Sequence, residues 1–209
     1  MRIRFTLNGR EAAFDCEAGF SLRDLLRSRG IVSVRNGCDG EGSCGLCAIL
    51  LDGTLVNSCQ ILAAQAEGRE VRTVESLSKD RRLGLVQRAL VDAACVQCGY
   101  CTPAVALAIE ELLARSPDPS EAEVRDALSG TLCRCTGYEQ FFEAVRIAAR
   151  RLADPEYILP PGEEFGRDFA HVGRDREKVD AAALARGERA YVEDRVGSAT
   201  CHVAMLGSP

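Results

Sequence analysis

Three cysteines lie in a glycine-rich stretch near the start of the chain, and a fourth cysteine follows them. The stretch 37–47 reads GCDGEGSCGLC, and together with Cys59 its cysteines have the spacing C-x5-C-x2-C-x11-C. Thiolates are soft ligands, and four of them suit an iron–sulfur cluster or a zinc ion. The glycines favour the cluster, because they permit tight turns and let backbone N–H groups approach the sulfurs.

A second group of cysteines lies further along the chain in two short motifs. Cys98 and Cys101 enclose Gly-Tyr, and Cys133 and Cys135 enclose a single arginine. If both motifs occupy loops at the same end of an antiparallel helix bundle, four thiolates meet there. The Cys133-x-Cys135 spacing is unlike that of most zinc sites, which favours a second iron–sulfur cluster and leaves zinc as the alternative.

Cys95 complicates the ligand assignment in the second group. Cys95, Cys98 and Cys101 read C-x2-C-x2-C, which is the beginning of a bacterial four-iron motif. That motif requires a further cysteine shortly afterwards, followed by proline. The chain has Thr102-Pro103 instead, so we interpret Cys95 as a buried neighbour and not as a ligand.

The residues around the first cysteine group predict a small mixed sheet that holds one helix. Apolar residues alternate on both sides of an Asn8-Gly9 turn, which indicates a hairpin. Ser21 with Asp24 is typical of a helix start, and Gly30 of its end. Short strands are expected at 48–51, around 55–56 and at 71–74, and Cys16 is interpreted as an inward-facing strand residue. The spacing of the first cysteine group is close to that of plant-type ferredoxins.

From about Arg82 the apolar period changes from two to nearly four, which predicts four helices in a compact bundle. The helices are expected before Cys95, after an N-cap at Thr102, from Ser120 to Gly130, and from about Tyr138 to Ala153. The fold class is therefore α+β, with a sheet domain over 1–80, a four-helix domain over 81–154 and an extended tail over 155–209. The tail begins with a linker rich in Pro and Gly, and its residues 169–209 show no clear core.

Charge and composition exclude several classes of protein. The net charge is −5 and no basic stripe stands out, which argues against nucleic-acid binding. No apolar run approaches the ~18 residues of a membrane span, and the N-terminus lacks the apolar core of a signal peptide. Eleven cysteines without export indicate a reducing compartment, and we expect the cytoplasm.

The motifs GCDGEGSCGLC, QCGYCTP and LCRCTGY, in this order, resemble the iron–sulfur subunit or domain of the molybdenum hydroxylases. This is the family of xanthine dehydrogenases and aldehyde oxidoreductases, and the resemblance covers about residues 1–153. It implies a ferredoxin-like β-grasp domain followed by a four-helix domain, each with one [2Fe–2S] cluster. The implied ligands are Cys38, Cys44, Cys47 and Cys59 for the first cluster, and Cys98, Cys101, Cys133 and Cys135 for the second.

The resemblance also implies a role in electron transfer. A molybdenum-binding large subunit would carry a molybdopterin cofactor, which Gln97 contacts and beside which Cys135 lies. Electrons would leave one at a time through the second cluster and then the first, towards FAD on another subunit or an external acceptor. The chain itself would perform no substrate chemistry.

The tail resembles the beginning of the family's molybdenum-binding domain in Val172-Gly173, Asp180, Gly187, Tyr191, Asp194 and Ser208-Pro209. We therefore expect residues 155–209 to be a linker and an extension that associates with the partner. Two alternatives remain at this point. One is a free-standing ferredoxin-like carrier or redox sensor with no molybdenum partner, and the other is a structural zinc protein.

Overall fold

The computed structural model describes residues 1–160, 176–188, 191–195, 200–201 and 203–207. The first described segment contains both cysteine groups. Val172-Gly173 and Ser208-Pro209, which carry part of the resemblance in the tail, lie outside the described residues.

The N-terminal domain is a five-stranded mixed sheet with one helix, as predicted. Its strand order is β2-β1-β5-β3-β4; β1 pairs with β5 in parallel, and the other neighbours are antiparallel. Alternate strand residues face helix α1, and its three leucines are fully covered by the sheet and the 3₁₀ helices after it. The elements are β1 Arg2–Leu7, β2 Arg10–Asp15, α1 Leu22–Ser28, β3 Ala48–Leu51, β4 Thr54–Asn57 and β5 Glu70–Arg72.

Local signals in the sequence place these elements correctly. Asn8 and Gly9 both have positive φ, which is the geometry of a type I′ hairpin turn. The Ser21 hydroxyl accepts the backbone N–H of Asp24 at 3.1 Å and so caps α1. Cys16 follows β2 and packs, half-buried, against the core of this domain.

The C-terminal domain is built from four helices, and the second of them, α3, is the most deeply buried. Nearly every side chain of α3 is buried, because α3 packs against α2, α4 and strand β3 of the first domain. The Ser120–Glu123 capping box begins α4 as predicted. The helices are α2 Leu85–Asp92, α3 Thr102–Arg115, α4 Glu121–Leu128 and α5 Glu139–Ala153.

The start of α3 differs by one residue from the expectation. Thr102 was expected to cap the helix, but it is the first helical residue and Cys101 occupies the cap position. The Cys101 carbonyl accepts the N–H of Val105 at 3.0 Å, which completes the first turn. The predicted ligand Cys101 therefore sits at the positive end of the helix dipole.

The expectation that residues 169–209 contribute no core is wrong for part of the tail. A short helix, α6 Ala181–Ala185, packs against α2 and α3. Its residues Ala181, Leu184 and Ala185 are buried in the core of the helical domain. Their apolar run, AAALA, is too short to predict a core by itself, but it covers a surface that helices α2 and α3 provide. In the part of the chain that the structure describes, no helix is both long and apolar enough to cross a membrane.

Candidate metal centres

Three cysteines of the first group lie in the loop between α1 and β3, and Cys59 lies just after β4. Positive backbone angles shape the loop between α1 and β3. Asp39, Gly40, Gly42 and Gly45 all have φ between +56° and +93°. The left-handed region is open mainly to glycine and tolerated by Asp. Cys44 and Cys47 are buried, whereas Cys38 and Cys59 are half-buried. The loop therefore presents its sulfurs between a dry core and the surface.

The four thiols of the first group meet as two pairs. Cys38 interacts with Cys44, and Cys47 interacts with Cys59. Burial alone would raise the pKa of Cys38, but hydrogen bonds from Cys44 and Ser43 outweigh it and lower the pKa to about 6. Burial raises the pKa of Cys47 to about 11.

Additional N–H groups point at the sulfurs of the first group. The backbone N–H of Leu46 lies 3.5 Å from Cys44 Sγ. The Gln60 amide lies 3.4 Å from Cys59 Sγ and donates to the Gly40 carbonyl at 2.6 Å. Donors of this kind stabilise the negative charge that thiolate ligands carry. No pattern in the sequence marks Gln60 for this role, since its only signal is its position beside Cys59.

The second cysteine group lies in the loop before α3 and the loop between α4 and α5, as predicted. Cys98 interacts with Cys135, and Cys101 interacts with Cys133. Both loops belong to one end of the helical domain, and Tyr138 holds the second loop in shape. Its hydroxyl accepts the N–H of Cys133 and donates to the Thr131 carbonyl, each at 2.9 Å.

Hydrogen-bond donors around the second group also favour the thiolate form of its cysteines. Cys133 Sγ lies 3.2 Å from the Thr136 hydroxyl, and the backbone N–H of Tyr100 lies 3.5 Å from Cys98 Sγ. Burial raises the pKa of Cys133, but hydrogen bonds from Thr136 reverse this effect and lower it. Cys101 has a raised pKa, because it is buried and close to Cys133.

The paired arrangement fits a binuclear cluster better than a single ion. A [2Fe–2S] cluster takes two thiolates on each of its two irons, so its ligands form two separated pairs. A structural zinc ion draws four ligands to one point. Within the described residues, no three side chains of Cys, His, Asp or Glu converge closely enough to hold one ion.

Cys95 is buried close to Cys133 of the second group, but its thiol is directed at a backbone carbonyl. Its Sγ donates to the Gln140 carbonyl at 3.0 Å, and burial raises its pKa to about 12. We expect Cys95→Ala to leave the iron content unchanged and to lower the free energy of unfolding by about 1 kcal/mol, the scale of one small buried group. Iron analysis and denaturant unfolding test this. A loss of iron from this variant would identify Cys95 as a ligand.

One face of the second group is open to solvent. Gln97, Cys98, Leu132 and Cys135 are exposed there, and Leu132 is 58% exposed although it is apolar. The residues predicted to face a cofactor on a partner, Gln97 and Cys135, are thus both on the surface. The structure does not test that contact, which stays a prediction.

Comparison with known proteins assigns both domains to iron–sulfur families. Residues 5–78 match the family described as 2Fe-2S iron-sulfur cluster binding domain. Residues 73–146 match the family described as [2Fe-2S] binding domain. The expectation of two [2Fe–2S] binding domains is therefore confirmed.

Three relatives indicate the kind of protein in which this pair of domains occurs. The chain is 42% identical to the nicotinate dehydrogenase small FeS subunit of Eubacterium barkeri, over 73% of this chain and 97% of the relative. It is 40% identical over its whole length to the probable hypoxanthine oxidase XdhD of Escherichia coli K12, of which it spans only 22%. The aldehyde oxidoreductase of Desulfovibrio gigas has a TM-score of 0.80 and 30% identity, over 93% of this chain and 22% of that one.

Proposed function

Since the chain belongs to the iron–sulfur subunits and domains of the molybdenum hydroxylases, we propose that it is the electron-transfer part of such an enzyme. A molybdenum centre on another part of the enzyme would supply the electrons. They would leave one at a time for a flavin or an external acceptor. Iron–sulfur clusters supply the one-electron chemistry that this role needs.

The ligands that we propose follow the two sets of paired thiols. The first cluster would be held by Cys38 and Cys44 on one side and by Cys47 and Cys59 on the other. The second would be held by Cys98 with Cys135 and by Cys101 with Cys133. The observation that carries the proposal is that each domain gathers four cysteines at one place, because a [2Fe–2S] cluster needs four such ligands.

The protein around each site would hold the cluster and tune its charge. Buried Cys44, Cys47 and Cys101 anchor one edge of each site in the core, so solvent reaches mainly the other edge. The N–H and hydroxyl groups that face the sulfurs would favour the reduced, more negative form of a bound cluster and so raise its reduction potential. The first turn of α3 acts in the same direction at the second site.

The open face of the second site is where we place the partner. Gln97 and Cys135 would lie towards the molybdopterin cofactor of a molybdenum-binding subunit, with exposed Leu132 in the interface. Val203, Met205 and Leu206 in the tail are between 88% and 100% exposed, and an apolar run of this kind suits burial against a partner.

Metal and sulfide analysis of the purified chain tests the proposed function. Two clusters with two irons each predict 2 × 2 irons, or about four irons and four sulfides per chain. The chain should be red-brown, and both clusters should be reducible by dithionite. Stoichiometric zinc in a colourless chain would overturn the proposal.

The alternative of a free-standing carrier makes a different prediction. Such a carrier would purify alone from its native host, with its second site exposed. The proposed role instead predicts that the chain co-purifies with a molybdenum-containing polypeptide. The alignment of XdhD with the entire chain, tail included, favours the second outcome.

A further inference from the structure

Part of the tail crosses both cysteine loops. We call residues 176–188 and 191–195 the strap. Leu184 of the strap packs on Gly99 in the second cysteine loop so closely that a Cβ on Gly99 would lie 2.8 Å from it. A Cβ on Gly187 would lie 2.5 Å from Ser33, just ahead of the first cysteine loop. Within four residues, the strap therefore contacts both the second cysteine loop, at Gly99, and the segment before the first cysteine loop, at Ser33.

A buried ion pair joins the strap to the approach of the first cysteine loop. Arg35 Nη1 lies 2.6 Å from Asp194 Oδ2, and both side chains are fully buried. Arg35 also donates to the Glu188 carbonyl at 3.4 Å. Burying a charged side chain is costly unless its partner is buried with it. Because Asp194 belongs to the strap, the pair forms only when the strap is docked. Arg35 lies three residues before Cys38, whereas Asp194 lies 159 residues after Arg35 in the sequence.

Two tyrosines enclose this ion pair and connect it to the second site. The guanidinium carbon of Arg35 lies 5.6 Å from the centre of the Tyr100 ring and 4.7 Å from that of Tyr191. The two rings meet edge to face with centres 5.0 Å apart. Such contacts of a cation with aromatic faces are stabilising when they are shielded from water.

The hydroxyls of the same tyrosines donate hydrogen bonds that connect the two cysteine loops and the strap. Tyr100 lies between Cys98 and Cys101 in the second loop, and its hydroxyl donates to the Asn36 carbonyl of the first loop at 3.0 Å. Tyr191 of the strap donates to the Cys98 carbonyl at 2.6 Å. The buried Arg35 side chain is therefore in contact with residues of the second loop and of the strap, next to the first loop.

We propose that Arg35 is a positioning residue that fixes the two clusters relative to each other, and that it does so through the docked strap. This inference rests on the proposed function. Electron transfer between clusters slows steeply with their separation, so two loops on different domains need a rigid connection. The Arg35–Asp194 pair supplies this connection on the side where Tyr100 bridges the loops. Undocking of the strap would uncouple the two clusters without removing a ligand from either.

The test compares the cluster-loaded chain with Asp194→Asn and Tyr191→Phe. Asp194→Asn removes the charge that Arg35 requires, and Tyr191→Phe removes only the hydroxyl on the Cys98 carbonyl. Arg81→Met is the matched control, because it removes an exposed ion pair between Arg81 and Glu188 of the same strap, and exposed pairs contribute little. Hydrogen exchange over residues 181–188 reports strap docking. The EPR splitting that arises between two reduced clusters reports their separation and orientation.

We expect all three variants to retain the iron and sulfide content of the parent chain. In Asp194→Asn, exchange over residues 181–188 should be faster by about tenfold or more, and the splitting between the clusters should weaken or broaden. Tyr191→Phe should shift both readouts in the same direction by less, which keeps the test decisive if Asp194→Asn does not fold. Arg81→Met should change neither.

Two outcomes would overturn the proposal. In one, the strap exchanges faster but the splitting between the clusters stays the same, so docking does not position them. In the other, neither readout changes in either variant. Both differ from failure of the proposed function, which would appear in the parent chain as missing iron and sulfide.

Discussion

Cys47→Ala should remove one cluster and leave the other intact. Cys47 is buried and paired with Cys59, and alanine offers no replacement for the lost thiolate. The iron content should fall to about half, and one of the two EPR signals of the reduced protein should disappear. Cys133→Ala should remove the other signal, because Cys133 belongs to the helical domain.

Cys16→Ala is the matched control for both ligand variants. Cys16 is a half-buried thiol in the sheet domain, outside both cysteine groups, and its loss should change neither signal. The important observation is which signal each ligand variant loses. Loss of both signals from a single ligand substitution would show that the two sites are not independent, or that the ligand sets are assigned wrongly.

Gly45→Ala should destabilise the protein more than any other single glycine-to-alanine change in the first cysteine loop. A Cβ at this position would lie 1.9 Å from the Gly130 carbonyl oxygen and 3.0 Å from the Thr131 Cα. Both atoms belong to the backbone of the helical domain, so no side chain can rotate away. The two domains would have to separate, which would break the 2.9 Å hydrogen bond from the Leu132 N–H to the Cys44 carbonyl.

Gly53→Ala separates this clash from the cost of the backbone angle. Gly53 has φ of +83° and Gly45 has φ of +69°, but nothing lies within 4 Å of a Cβ on Gly53. The angle alone should cost about 1 kcal/mol in each variant. Overpacking against rigid backbone, which costs about 1–3 kcal/mol, should bring Gly45→Ala to about 2–4 kcal/mol. Denaturant unfolding of the cluster-loaded chain measures both, and equal costs would show that the domains move apart easily.

The sequence predicted most of the secondary structure because the signals involved are local. A two-residue turn at Asn8-Gly9, a cap at Ser21 and a capping box at Ser120 each depend on residues within one turn of the chain. The same holds for the cysteine motifs, since the spacing within each loop restricts which thiols can meet. The α+β fold was predictable on this basis, whereas the two [2Fe–2S] binding domains and the family followed from the resemblance of the cysteine motifs to the molybdenum hydroxylases.

Contacts between distant segments were not predictable, because no local pattern reports them. Nothing around Arg35 marks it as a buried cation, since Asp194 and Tyr191 are in the tail and Tyr100 is in the second cysteine loop. The tail itself was predicted to lack a core, since AAALA is too short to form one alone. Its burial becomes favourable only against the surface that α2 and α3 present once the helical domain has folded.

The sequence by itself determined which residues bind metal in this proposal, because ligand type and spacing belong to short stretches of chain. Only the tertiary structure decided which thiols lie next to each other, that the Cys95 thiol donates to the Gln140 carbonyl, and that Gly45 lies against the backbone of the second domain. It also decided that the strap joins both loops through Arg35. These features depend on packing at close range, where separations of an ångström or less decide between a contact and a clash.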